Sequence, residues 1–301
     1  MPIPGRRGPV LSRSAQGLAV RHWPGEGSIH LYLAHATGFC KDVWEPLVAE
    51  LRRRGVGLPA TAWDFLAHGD SYLPDPPYDW WDFGRDALRV LSADGSKAVG
   101  IGHSSGGASL AMAEILRPGT FAGLVLVEPI ILPPPFRRSD DSPLAEGAER
   151  RKPSFPTLSE ARANFASKEA FASWDPRSLD AYLTGGLAER DGAWWLKCPP
   201  WAEAEVYRTA SAHGAWERLG EVGAPVLVVA GERSDSHRAA FVEAMTGRMP
   251  KARLVVVADA GHFLPMERPD RLAELVAEFL TDFPPPSGRR RGLLPPPSGR
   301  G

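Results

Sequence analysis

A chain of 301 residues with 43% hydrophobic and 24% charged side chains falls in the globular class and is long enough for one large domain, or for one domain carrying an insertion. Its formal net charge is −1, and residues 284–301 hold four arginines and no acid, so the remainder sets 31 basic against 36 acidic side chains; that balance excludes a nucleic-acid-binding body. Two cysteines, Cys40 and Cys198, are too few for a disulfide framework and lack metal-ligand spacing, and they read as free thiols in a reducing compartment.

Residues 1–14 are rich in Pro, Gly and Arg and read as a disordered tail, with no apolar stretch of secretory length. Residues 18–23 alternate enough for a first edge strand, and 29–34 form a short apolar run that reads as a buried one. The loop His35-Ala36-Thr37-Gly38-Phe39-Cys40 leads into a helix over 42–54, stopped by Arg52, Arg53 and Arg54 followed by Gly55. A strand over 59–63 and a helix over 81–91 come next.

Residues 98–101 are apolar and run straight into Gly102-His103-Ser104-Ser105-Gly106, followed by an Ala/Leu/Met-rich helical stretch over 108–116. Strand, tight turn and helix around Gly-x-Ser-x-Gly make a nucleophile elbow, a turn so sharp that the serine is strained and glycine is needed on either side. The Ser104 hydroxyl then stands above the strand ends, at the positive end of the following helix. Residues 121–127 supply another strand. The longest apolar stretch, 121–132, is broken by Glu128 and Pro129, and nothing approaches the ~18 to 20 residues needed to span a bilayer. A cytoplasmic protein without a membrane partner is the expectation.

The strand and helix alternation to this point predicts an α/β chain with a mostly parallel sheet covered on both faces. It lapses between Glu128 and Gly223, where prolines cluster and helices are expected over 158–167, 176–185 and 201–212. Five of the ten tryptophans, Trp174, Trp194, Trp195, Trp201 and Trp216, fall here; they read as the small core of an inserted helical cap, with one or two lining a site above Ser104. Residues 15–128 and 224–283 would form the main body and 129–223 the cap.

Alternation resumes with a strand over 225–230 ending in Gly231-Glu232-Arg233-Ser234-Asp235, a helix over 236–248, a strand over 252–258 and the loop Asp259-Ala260-Gly261-His262. A helix over 269–283 shows apolar residues at Leu272, Leu275, Val276, Phe279 and Leu280. The tail repeats PPPSGR and cannot bury itself, so 284–301 reads as disordered.

A serine hydroxyl needs a base, and the base needs an orienting acid. Ser104, Asp235 and His262 occur in the order nucleophile, acid, base, each just beyond the carboxyl end of a parallel strand, where such sheets place their sites. Glu232 and Glu128 are the alternative acids. The chain resembles the α/β-hydrolase superfamily, of the compact serine-esterase type with a helical lid, from about Leu18 to Phe283. The resemblance is carried by GHSSGG, GERSD, AGHFLPMERP and DFLAHGDS, the last similar to the family's Asp-x-x-Gly-His-Gly-x-Ser turn.

The resemblance implies Ser104 as nucleophile, Asp235 as acid, His262 as base and the Ser105 N–H as one oxyanion donor. The second donor normally follows a His-Gly pair. Here Ala36 and Thr37 separate His35 from Gly38, which puts the donor at Phe39, with Thr37 as the alternative. His35, His68 and His103 read as loop-holding groups. Serine at the elbow excludes the branches that use an aspartate nucleophile. The implied activity is hydrolysis of a small to medium, partly apolar carboxylic ester through an acyl-enzyme. Acyl transfer, thioester or C–C bond hydrolysis, and a non-catalytic ligand-binding module are the alternatives, and fold alone does not choose among them. No clustered His/Cys set and no phosphate-loop lysine is visible, so neither cofactor nor metal is expected.

Overall fold

The computed structural model describes residues 10–13, 17–91 and 96–283. In chain order the first half holds β1 (Val10–Arg13), β2 (Ala19–Trp23), β3 (Ile29–Ala34), a 3-10 turn at Lys41–Trp44 running into α1 (Glu45–Arg53), β4 (Ala60–Trp63), α2 (Trp80–Val90), β5 (Lys97–His103), α3 (Ser105–Leu116) and β6 (Gly123–Val127). Residues between β6 and the next sheet strand form α4 (Pro143–Glu149), β7 (Ser154–Phe155), α5 (Leu158–Ala166), α6 (Glu169–Ala172), α7 (Pro176–Gly186), β8 (Leu187–Arg190), β9 (Ala193–Leu196), α8 (Pro200–Thr209) and a 3-10 stretch at Ala215–Glu221. β10 (Val226–Gly231), α9 (Ala239–Gly247), β11 (Ala252–Val257), α10 (Leu264–Glu267) and α11 (Pro269–Leu280) complete the described chain.

Eight strands form one sheet in the order β1-β2-β4-β3-β5-β6-β10-β11. The six from β4 to β11 run parallel, while β2 is antiparallel to both β1 and β4. Side chains of the parallel strands alternate between two apolar layers, as a sheet buried on both faces requires. Leu31, Leu33, Val125, Val127, Leu227 and Val229 face the layer that α1 and α11 cover. Tyr32, Ala34, Leu124, Leu126, Val226 and Val228 face the layer that α2, α3 and α9 cover. α3 is buried all round, every residue from Ser105 to Ile115 included, because it lies under the Ala215–Glu221 stretch as well as on the sheet.

Three expectations are corrected. β2 is not the edge strand, since Val10–Arg13, read as part of a disordered tail, pairs with it as an antiparallel β1. The segment between β6 and β10 is not purely helical, because β7, β9 and β8 make a separate three-stranded antiparallel sheet. The helix expected from residue 236 begins only at Ala239. The expected C-terminal tail, 284–301, lies outside the described residues, as do residues 1–9. Among the described residues no helix is long and apolar enough to cross a membrane.

Candidate active site

Ser104 occupies the turn between β5 and α3 at φ +55° and ψ −117°, a conformation that costs a non-glycine residue about 1–3 kcal/mol and persists only where its surroundings enforce it. They do so through three backbone bonds: Ser104 N–H donates to Val127 O at 2.9 Å, and its carbonyl accepts from Ala108 N at 3.1 Å and Ile130 N at 3.2 Å. The elbow also sits against β3. A Cβ on Gly106 would lie 2.1 Å from the Ala34 carbonyl oxygen, so only glycine allows this approach.

The imidazole of His262 arrives from the loop between β11 and α10, with Nε2 3.2 Å from Ser104 Oγ. The loop is held from both sides. His103, beside the serine, donates from Nε2 to the His262 carbonyl at 2.8 Å, and Gly261 N–H donates to Glu267 Oε2 at 2.8 Å. Burial pushes His103 down to about 3, with the neighbouring His262 adding to the effect, so it works as a neutral donor.

The carboxylate facing His262 belongs to Glu128, not Asp235. Glu128 is the first residue beyond β6, is fully buried and has φ +51°. Its Oε2 lies 3.0 Å from His262 Nδ1. Two further donors converge on it, Gly231 N–H on Oε1 at 2.7 Å and the Ser234 hydroxyl on Oε2 at 2.6 Å, and His237 Nδ1 faces Oε2 at 2.7 Å. Burial alone would raise the Glu128 carboxyl, yet its contacts with His237 and His262 hold it well below the usual carboxylate range. Because this ionised oxygen accepts from Nδ1, the bonding assigns the His262 ring proton to that atom and leaves the Nε2 lone pair toward the Ser104 hydroxyl.

Asp235 points elsewhere for a local reason. Ser234 and His237 are drawn inward onto Glu128 and buried, while Asp235 between them is exposed, and no bond to it is found among the described residues. Glu232 is also exposed and only approaches Asp259 N, at 3.5 Å. The sequence carried one signal for Glu128, a carboxylate closing an apolar strand just before a proline.

The loop after β3 also departs from expectation. Phe39 N–H donates to Ala36 O at 3.1 Å and Gly38 N–H to His68 Nε2 at 2.9 Å, so both are engaged. Thr37 N–H has no acceptor among the described residues, and Ser105 opens α3, where helix N–H groups lack intrahelical partners. Phe39 contributes its ring instead, which packs edge-on against Trp174 and Tyr182, both at 5.4 Å, and lies 5.8 Å from Phe263. Of the five tryptophans between β6 and β10, Trp174 is thus the one beside the Phe39 loop; Trp195 and Trp201 are exposed. His35 and His68 accept from Phe65 N and Gly38 N respectively, and serve as loop fasteners.

A mostly parallel sheet, a strained serine above its centre and a histidine bridging that serine to a buried carboxylate define a hydrolase architecture, and the chain belongs to the alpha/beta hydrolase family, whose profile matches residues 31–275. It is 25% identical over 218 residues to the abhydrolase domain-containing protein ACTT2 of Alternaria alternata, covering 60% of this chain and 82% of that one. Over 134 residues it is 30% identical to monoglyceride lipase of Homo sapiens, covering 42% of this chain and 44% of the lipase. Among solved structures, the peroxisomal alpha-beta-hydrolase Lpx1 of Saccharomyces cerevisiae is similar with a TM-score of 0.77 over 95% of this chain and 92% of that one, at 19% identity.

Proposed function

We propose that the protein is a serine hydrolase that cleaves a small to medium, partly apolar carboxylic ester through an acyl-enzyme. One observation carries the reading: His262 spans Ser104 Oγ at 3.2 Å and Glu128 Oε2 at 3.0 Å with its ring proton directed at the carboxylate. In this reading Ser104 Oγ attacks the ester carbonyl as His262 Nε2 takes its proton, and Glu128 holds the tautomer and stabilises the imidazolium. The oxyanion is met by the N–H groups of Ser105 and Thr37, the second replacing Phe39, whose own N–H is engaged. His262 then protonates the departing alcohol and activates the water that releases the acid. The aromatic group of Phe39, Trp174, Tyr182 and Phe263 supports an apolar acyl or alcohol moiety. No step requires a cofactor.

The reading is tested with p-nitrophenyl esters of graded chain length and a serine-directed phosphonate. Wild type should hydrolyse the esters and take one label per chain, whereas Ser104→Ala should lose the label and about ten-thousand-fold or more in rate. Equal labelling of both proteins would overturn it.

A further inference from the structure

The Glu128 carboxylate has a second histidine, for which the hydrolytic steps give no role. His237 is buried, its Nε2 faces the Pro129 carbonyl at 2.9 Å and its Nδ1 faces Glu128 Oε2 at 2.7 Å. A carbonyl only accepts, so Nε2 carries a hydrogen. In the neutral ring that places the Nδ1 lone pair against a carboxylate oxygen, an arrangement that needs a positive centre between the two atoms, either a proton or a metal cation.

We propose that Glu128 Oε2, His237 Nδ1 and His262 Nδ1 form a divalent-cation site of the zinc class, whose occupation switches off the base at His262. The three ligand atoms lie within 4.8 Å of one another. Two imidazoles and one carboxylate are a zinc ligand set. At metal–ligand distances of 2.0–2.2 Å a tetrahedral ion sets neighbouring ligand atoms about 3.3 Å apart. The separations of 2.7 and 3.0 Å between Oε2 and the two Nδ1 atoms would open by about 0.6 and 0.3 Å to reach that spacing, and the two Nδ1 atoms themselves lie within 4.8 Å of each other. The outer bonds are already those of a metal site: the far nitrogen of His237 is fixed by Pro129 O and the second Glu128 oxygen by Gly231 N. Ser236 is exposed, with Oγ 3.0 Å from His262 Nδ1 and 3.2 Å from His237 Nδ1, so it stands at the fourth position and on the side open to solvent.

Occupation has a defined chemical consequence, which rests on the proposed role of His262. A neutral imidazole has one ring proton. With the metal on Nδ1 that proton moves to Nε2, and the ring then donates toward Ser104 Oγ and no longer accepts from it. Nothing in the residue spacing announces the site, because its ligands come from the ends of three separate strands.

Binding is measured without turnover, by calorimetric titration of the full-length Ser104→Ala protein with zinc chloride. One ion per chain is expected, with affinity reduced at least tenfold by His237→Gln in the same background. Absence of binding, or affinity unaffected by His237→Gln, overturns the site. If His237→Gln does not fold, nitrogen-15 spectra of the histidine rings decide: zinc should shift Nδ1 of both His237 and His262, and a shift at His262 alone overturns the proposal. In wild type, zinc should suppress ester hydrolysis and a chelator restore it; hydrolysis unchanged with the site filled would refute the switch. A chain that holds zinc but hydrolyses no ester would leave the site and sink the hydrolase reading, and an active chain that holds none would do the reverse.

Discussion

Glu128 accepts three hydrogen bonds and faces His237 Nδ1 while buried in the middle of the molecule, and those contacts keep it ionised where burial alone would neutralise it. Asp235 is exposed and has no such partners among the described residues. Activity should therefore separate the two carboxylates: Glu128→Gln is expected to lower kcat/KM by about a thousandfold or more, through loss of the productive His262 tautomer, and Asp235→Asn to stay within about threefold of wild type. A large loss in Asp235→Asn with normal folding would reverse the assignment.

The pairing of Ser104 with His262 was legible because glycine-flanked serine and a histidine after the last strand are positional signals. The carboxylate that faces His262 was not. All three candidate carboxylates follow strands, and the choice among them depends on which way residues 232–237 turn, a matter of side chains converging on Glu128 from residues far apart in sequence.

In the loop between β3 and α1, Gly38 and Phe39 N–H are bonded to His68 Nε2 and Ala36 O, while Thr37 N–H has no acceptor among the described residues. Gly38 is its pivot, at φ +78° and so close to the cap that a Cβ would lie 2.4 Å from Glu203 Oε1. That carboxylate is ion-paired with Arg151, which also donates to the Tyr182 hydroxyl at 2.6 Å, so it has little freedom to withdraw. Gly38→Ala should cost about 1–3 kcal/mol of stability and, by displacing Thr37 N–H, lower kcat more than it raises KM, as unfolding midpoints and steady-state kinetics would show. Unaltered kcat would remove Thr37 from the oxyanion role. The sequence identified this loop and named Phe39 and Thr37 as its candidate donors, but the missing Gly of the usual His-Gly pair conceals which N–H is left without an acceptor. Elements with short periods fared similarly: β7 has two residues and β8 and β9 four each, too few for alternation to stand out from the helices around them.

Across the whole molecule, two apolar layers sandwich the sheet, and the charges trapped between them govern how stability responds to pH. Asp86 on α2 is completely buried, and burial raises its carboxyl to about 6 against the opposing pull of Arg89. The native state therefore binds a proton that the unfolded chain has already released, and stability falls as pH climbs from about 4 to 7. At roughly 1.4 kcal/mol per unit the full penalty is about 3 kcal/mol. Asp86→Asn should relieve it, so denaturant unfolding should show the variant gaining more over wild type at pH 8 than at pH 5. A gain independent of pH would contradict this account.

His103 and Val127 are paired across β5 and β6, and Ser104 and Glu128 are the residues that immediately follow each strand. Two members of the Ser104, His262 and Glu128 group are thus fixed to adjoining strands in the middle of the sheet, and parting them would require opening the sheet there. The third comes from a loop, held through the His262 carbonyl, Gly261 N–H and Ala260 O. A shift of that loop would therefore part the three groups while the sheet itself stayed whole.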